Sequence, residues 1–445
     1  NLANFVTSLQ NLEGDPASIP LRESVIQAGQ KLTNSLSTSF NSIATMQREA
    51  DNRIKTLVGQ MNSISEDIAD LNSRITLSEI GLQENLTLRD QRDAKLQELA
   101  EIVSFDTVEL NDGSINVTLP GGFPLVIGSN FRALDTTTNP SFLPAPTPPA
   151  IAFPTGLDGA ALNWITYDFG GGSESDFTTQ IASGEGELAG LLQLRGVQGT
   201  TDVRPFDASG DLVEVASRLE AITLILLSDI NTPYLGTGDG DNSTPLVIDP
   251  NSVDLNGNNP VTYGLFGAFG IPSGTLDVDG NRRPSVAGDL NPYAIANNLP
   301  SYTSLLQFVP SQPEDIAAAI DEDPGPGAPV WSPGDGRVLR NVIERLSRQN
   351  VGLTVGSYTV NNRTLDDIYA EVTSYVGNAK NQAQDDYDIA VDKEQTIGEF
   401  QASVSGVNLD EEFAKLILYQ RGFEGAARMI RLGDDLLGEV VGLLG

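Results

Sequence analysis

The sequence predicts an α+β multidomain protein: an elongated helical bundle or coiled-coil rod built from both chain ends, with inserted β-rich and loop-rich domains. Near both ends, apolar residues recur every three or four positions over long stretches, the spacing of helices that bury one face. Between them the period changes to two, and Gly, Pro, Asn and Asp become frequent, as in strands and turns. The 445 residues are enough for roughly three domains of about 150 residues.

The first third of the chain is predicted to be helical. From Leu36 to Ile75 the apolar positions step by four and three, and only Gln47 and Ala50 interrupt the series. Because further helical segments are available to pack on this stripe, we interpret it as the intramolecular core of a long helix that ends near Gly81. A second helix is predicted over about Leu86–Val103.

A β meander is expected to follow these helices. Alternating apolar residues flank Asn111-Asp112-Gly113, a sequence that favours a hairpin turn with positive φ at its glycine. Pro124–Ile127 has the pattern of a third strand. The Pro-rich stretch Pro140–Pro154 should be extended and exposed, and Leu212–Ile230 should form a helix.

The segment from Gly236 to Gly336 has a different composition. It holds 13 acidic residues, and its only basic ones are Arg282 and Arg283. We predict a loop-rich region with short strands held by turns. Helical spacing returns over Leu365–Tyr387, and again after a break at Ser405-Gly406.

These patterns divide the chain into four predicted parts. Residues 1–235 form a helical rod with an inserted β meander, and residues 236–312 form an acidic, loop-rich and β-rich outer domain. Residues 313–404 supply the return helices of the main helical domain. Residues 405–445 form a C-terminal assembly coil.

The composition argues against several classes of function. The chain has no His and no Cys, which excludes disulfides, zinc sites with those ligands and catalysis by a Ser-His-Asp or Cys-His group. The net charge of −34 disfavours nucleic acid and anionic membrane surfaces as partners. Acidic clusters such as Asp239–Asn242 and Asp277–Asn281 lack the spacing of a calcium loop, so we interpret them as solvated turns. We therefore predict a protein that is not an enzyme and has no catalytic residues, cofactor or metal.

The final helical stripe is the candidate interaction surface. It follows a glycine break and has no evident partner helix in the sequence, so we predict that it packs against other subunits. The predicted interface consists of Leu409, Phe413, Leu416, Gln420, Phe423, Ala427, Ile430, Leu437, Val441 and Leu444.

Four segments in order resemble those of one known family. They are Leu88–Asp93, Asp112–Val117 with the strand after it, Gly186–Leu192, and the C-terminal run Ser405–Glu412 with Tyr419-Gln420, Ala426–Arg428 and Leu436-Leu437. Together they resemble the family of flagellar hook-associated protein 1, the first hook–filament junction protein. Arg89 stands where that family usually has an apolar residue. Asn1–Phe5 resembles a point well inside a full-length member, so we expect the family's N-terminal coil to be absent from this sequence.

The resemblance implies an extracellular, structural axial protein of the bacterial flagellum. Such a protein is exported unfolded through the flagellar type III apparatus and assembles as a homo-oligomeric ring between hook and filament. Its implied neighbours are the hook protein and the second junction protein or flagellin, with an export chaperone for the C-terminal coil. The alternatives are an extracellular adhesin or glycan-binding protein with a helical stalk, or another axial protein such as flagellin.

Overall fold

A computed structural model describes residues 1–79, 84–138, 156–168, 174–197, 208–234, 252–257, 264–268, 301–322, 330–403, 417, 420–426 and 428–431. Several predictions lie outside these residues. They concern the helix end at Gly81, the stretch Pro140–Pro154, most of the acidic segment, the break at Ser405-Gly406 and seven of the ten predicted interface residues.

Three helices open the chain: α1 (Leu2–Gly14), α2 (Ile19–Ser78) and α3 (Leu86–Ile102). The 60 residues of α2 make it roughly 90 Å long at about 1.5 Å per residue. Pro20 stands in its first turn, where a missing N–H costs no helical hydrogen bond. The predicted long helix and the helix that follows it are both confirmed.

Two small antiparallel sheets follow α3. The first has the order β1 (Asp106–Glu109), β2 (Ile115–Leu119), β3 (Phe123–Ile127) and β4 (Asn130–Phe131). The second pairs β5 (Leu134–Thr137) with β6 (Trp164–Asp168), and β6 with β7 (Glu174–Asp176). Gly113 has a φ of +82° in the turn between β1 and β2, as the hairpin prediction requires. The predicted meander is therefore confirmed.

The middle of the chain contains short elements. They are α4 (Thr178–Ala182), α5 (Glu187–Arg195), α6 (Asp211–Ile225), a π-helical turn (Leu226–Ile230), α7 (Asn231–Tyr234), β8 (Ser252–Val253), β9 (Phe266–Ala268), α8 (Tyr302–Leu305), β10 (Leu306–Phe308), a 3₁₀ turn (Pro313–Asp315) and β11 (Ala319–Ile320). Strand β9 pairs with β10, and β8 with β11, both antiparallel.

The return part begins with α9 (Arg337–Leu346), the hairpin of β12 (Asn350–Val355) and β13 (Tyr358–Arg363), and α10 (Leu365–Ser403). The apolar stripe predicted for Leu365–Tyr387 is buried at Leu365, Tyr369, Val372, Val376 and Ala383. No helix among the described residues is both long enough and apolar enough to cross a bilayer.

Two hydrophobic cores lie along α2. Its N-terminal half, Val25 to Ala44, packs with α1, α6, α9, the β12–β13 hairpin and α10. Its C-terminal half, Ala50 to Ala69, packs with α3, α5 and the two sheets. The single long helix thus connects both cores, which explains why its apolar stripe continues for so many turns.

The described residues of the acidic segment pack into the first of these cores. The Phe5 ring in α1 contacts Phe266 and Phe308, with centroids 5.5 and 5.8 Å apart. Asp254 accepts a hydrogen bond from the Asn256 N–H at 2.8 Å, an Asx turn of the kind predicted for this composition. A separate outer domain over residues 236–312 therefore stays a prediction for residues outside the described part of the chain.

A buried carboxyl joins α6 to α8. Glu220 accepts hydrogen bonds from the N–H groups of Tyr302 (2.9 Å) and Thr303 (3.1 Å), the Thr303 hydroxyl (2.7 Å) and the Ser301 hydroxyl. Burial raises the pKa of Glu220 above its ordinary value of 4.5, and the hydrogen bonds act in the opposite direction. The folded protein therefore loses this proton at a higher pH than the unfolded chain does.

This difference predicts a pH effect on stability. Since the folded-state pKa of Glu220 is raised, its contribution is greatest below about pH 4.5 and falls as the pH rises through the folded-state value. Glu220→Gln cannot titrate. The unfolding free energy of the wild type minus that of the variant should therefore decrease between pH 4.5 and 8 in urea titrations. A difference that stays constant with pH would contradict this assignment.

Candidate assembly site

The structure describes three of the ten predicted interface residues. Gln420 is exposed, whereas Phe423 and Ile430 are half-buried. They belong to the terminal segment, defined here as residues 417, 420–426 and 428–431, all of which are helical. The ring of Phe423 stacks on Tyr387 of α10, with centroids 3.6 Å apart and planes at 24°. The expectation that this stripe has no partner within the chain is therefore wrong for the described part, because α10 provides one.

Small residues bring the terminal segment close to α5. Gly186 precedes α5 with a φ of +111°, and a Cβ there would lie 2.7 Å from the Ile102 carbonyl oxygen. A Cβ on Gly190 would lie 3.8 Å from the Cα of Gly425. Gly186 and Gly190, with Ala189 between them, form what we call the glycine seat. Without bulky side chains in the seat, the two helix backbones can approach closely.

Ion pairs attach the terminal segment to the rod beside the glycine seat. Glu187, in the first turn of α5, forms ion pairs with Arg53 of α2 at 2.9 Å and with Arg428 of the segment. Arg421 pairs with Glu101 of α3. A carboxylate at a helix N-terminus also interacts favourably with the helix dipole. The segment is thus tied to three helices of the rod.

The position of α5 depends on a buried polar network. Arg195, its last residue, forms an ion pair with Asp51 of α2, and the two side chains are 3% and 2% exposed. Asp51 also accepts hydrogen bonds from the backbone N–H of Asn163 (3.0 Å) and from its side-chain amide (2.6 Å). Gln47, one turn earlier in α2, donates to the Arg195 carbonyl and accepts from the Leu157 N–H, both at 2.8 Å.

Sequence reasoning missed this network, although Gln47 provided the signal. The residue interrupts the apolar stripe of α2 between the two cores, where a buried amide needs partners. Burial lowers the pKa of Arg195, while Asp51 opposes that shift. The network thus connects α2, the C-terminal end of α5 and the residue before β6.

A second group of arginines connects α3 to the β meander. Arg89 forms ion pairs with Glu79 (2.8 Å) and Glu109 (2.6 Å), and its hydrogen bond lowers the pKa of Glu79 to about 2. Arg92 is buried and donates to the Gly113 carbonyl at 2.6 Å. The charged residue at position 89, where the family usually has an apolar one, is thus accommodated by two carboxylates.

A cleft of about 350 Å³ lies between α5, α10 and the terminal segment. Its walls include Ala189, Gly190, Ala383, Ile389 and Met429. Within the described ranges, no three His, Cys, Asp or Glu side chains converge as metal ligands would. The features found at this site are therefore those of helix packing: small residues, stacked rings and ion pairs.

Comparison with known proteins identifies the family. The model of the "Flagellar hook-associated protein FlgK helical domain" matches residues 1–234, more than half of the chain. The chain belongs to the FlgK family of flagellar hook-associated proteins. A second model, "Flagellar basal body rod FlgEFG protein C-terminal", matches residues 402–443. The terminal segment thus lies within the region that matches this basal body rod model.

Two individual relatives agree with membership of the FlgK family, and one solved structure is also similar to the chain. Flagellar hook-associated protein 1 of Salmonella typhimurium is 25% identical over 468 aligned residues, which cover 98% of this chain and 79% of the relative. The Escherichia coli K12 protein of the same name is 24% identical, with 99% and 80% covered. The flagellar hook junction protein FlgK of Burkholderia pseudomallei, a solved structure, is 19% identical with a TM-score of 0.49 over 72% of this chain and 60% of its own.

The family confirms the resemblance found in the sequence. Members of the FlgK family are structural proteins of the flagellum, and membership favours a structural role at the hook–filament junction over an adhesin or flagellin. The flagellum is thus the location of this chain.

Proposed function

We propose that the chain forms a homo-oligomeric ring between the flagellar hook and filament, in which helical rods pack laterally. Its neighbours are the hook protein on one side and the second junction protein or flagellin on the other. The role is mechanical, and the chain carries no catalytic activity. Its C-terminal part, residues 405–445, acts as the assembly coil.

The main support for this proposal is the position of the terminal segment. It packs against α10, while part of its own apolar stripe is exposed. Phe423 contacts Tyr387, while Gln420 on the same stripe is exposed. The anchor would set the direction of the assembly coil relative to the rod. Neighbouring copies then contact one another along the C-terminal stripe. The long helix α2, roughly 90 Å in length, stiffens each rod along its side.

We also propose that the chain reaches its site by flagellar type III export in an unfolded state, with an export chaperone on the C-terminal coil. The absence of Cys fits this route, since no thiol can oxidise outside the cell. Before assembly, an exposed apolar stripe is prone to aggregation. A chaperone that binds this end of the chain would prevent it.

The substitution Phe423→Asp tests the interface. A carboxylate at this half-buried position would lose the ring stack and would place charge on the predicted contact stripe. In cells of the source bacterium that lack their own gene, we expect wild-type protein to restore attached filaments and the variant to restore few or none. Electron microscopy of hooks and filaments measures the result.

Gln60→Asp provides the matched control, because it adds the same charge at an exposed position of α2. This control should restore filaments as the wild type does. Equal filament numbers for Phe423→Asp and the control would mean that the predicted stripe is not the contact.

A further inference from the structure

Three arginines converge beside the glycine seat in a chain that is otherwise strongly acidic. The whole sequence has 26 basic and 60 acidic residues. Arg53 of α2 and Arg428 of the terminal segment both pair with Glu187. Arg431 is one helical turn from Arg428, close enough to interact with it electrostatically. We call Arg53, Arg428 and Arg431 the arginine cluster.

Among the described residues, Glu187 is the carboxylate that pairs with the cluster. Arg53 and Arg428 share it, and its side chain is only 5% exposed. The Arg53 and Arg428 side chains are 37% and 38% exposed, and Arg431 is exposed. Burial lowers the pKa of Arg428, and repulsion from Arg53 and Arg431 lowers it further. An additional carboxylate arriving from solvent would relieve that repulsion.

A row of aspartates lies on the outer side of α10. Asp385, Asp388 and Asp392 are exposed. Each is two positions from Ala383 or Ala390, the buried residues that line the cleft toward α5. Two positions correspond to about 200° around a helix. The row therefore lies opposite Ala383 and Ala390 around α10, next to Ile389, an exposed residue that also lines the cleft.

We propose that the arginine cluster of one copy binds the Asp385–Asp388–Asp392 row of a second copy. This inference rests on the proposed ring function and names the charged contact within it. Copies with a net charge of −34 repel one another, so lateral contact needs a place where charges of opposite sign meet. Because the two patches differ, the contact is heterologous, the kind that closes into a ring when the rotation allows.

Cysteine cross-linking tests the contact directly, since the chain has no Cys of its own. Cells that lack their own gene would produce Arg431→Cys and Asp388→Cys chains together. We expect a disulfide-linked dimer in isolated flagella after mild oxidation. Cells producing either variant alone, or Gln60→Cys with Asp388→Cys, should give none. Attached filaments without a cross-link from the first pair would overturn the inference.

A charge exchange gives an independent test. Arg431→Glu should reduce the number of attached filaments about tenfold, the order expected for losing a close charge pair between subunits. Adding Asp388→Arg to the same chain should restore them, because each contact regains opposite charges. Circular dichroism would confirm that both variants fold.

The outcomes separate this inference from the proposed function. If wild-type chain itself fails to restore filaments, the ring function is wrong. If wild type restores them and Arg431→Glu does so equally well, only the charged contact is wrong. If Arg431→Glu fails and the exchange does not rescue it, the aspartate row is not its partner, and the inference is overturned.

Discussion

Replacing Asp51 with Ala is expected to lower the unfolding free energy by about 3–5 kcal/mol, because the variant leaves Arg195 buried without its carboxylate. The two side chains are 3% and 2% exposed, so water cannot replace the lost partner. Asn163 would lose two hydrogen bonds as well. The measurement is urea-induced unfolding followed by circular dichroism.

Asp158→Ala is the matched control. Asp158 pairs with Arg48 of the same long helix, but these side chains are 37% and 30% exposed. Solvent screening limits such a pair to about 0–1 kcal/mol. If the unfolding free energy fell equally in the two variants, burial of the Asp51–Arg195 pair would add nothing to its contribution to stability.

Deleting Asn408–Gly445 is expected to abolish incorporation at the hook tip while the rest of the chain stays folded. The described residues of the two cores along α2 lie before the deletion, except that Met429 packs on one core as a partly buried residue. The truncated protein should keep its helical circular dichroism signal. In cells lacking their own gene, hooks should remain and filaments should be lost into the medium.

Normal filament attachment by the truncated protein would contradict the role of the terminal segment. A truncated protein that is unfolded would instead show that the segment is needed for stability. Glu187→Gln then separates the role in filament attachment from the role in stability. This variant keeps the terminal segment and removes only the charge that pairs with Arg53 and Arg428.

Periodicity predicted the elements whose burial is regular along the chain. The stripe from Leu36 to Ile75 predicted α2 because one face of that helix is buried through both cores. The hairpin around Gly113 could be predicted because its turn chemistry is local. Neither signal shows that the stripe serves two cores, since the partners of each half lie far away in sequence.

The contacts that build the site are long-range, and sequence patterns do not report them. Gln47 and Arg195 are 148 residues apart, and their hydrogen bond appears in the sequence only as a break in an apolar series. The partner of the terminal segment was also missed. Tyr387 is the last residue of the predicted helical stripe Leu365–Tyr387, and nothing local indicates that Phe423 stacks on it. The family resemblance predicted the function, whereas the interface residues themselves stay a prediction.

The most direct test of the account is the location of the protein on the flagellum. In cells complemented with wild-type chain, immunogold labelling should place it at one position, the boundary between hook and filament. Label distributed along the filament would indicate a flagellin, and label over the cell surface would indicate an adhesin. Either distribution would contradict the proposed junction ring.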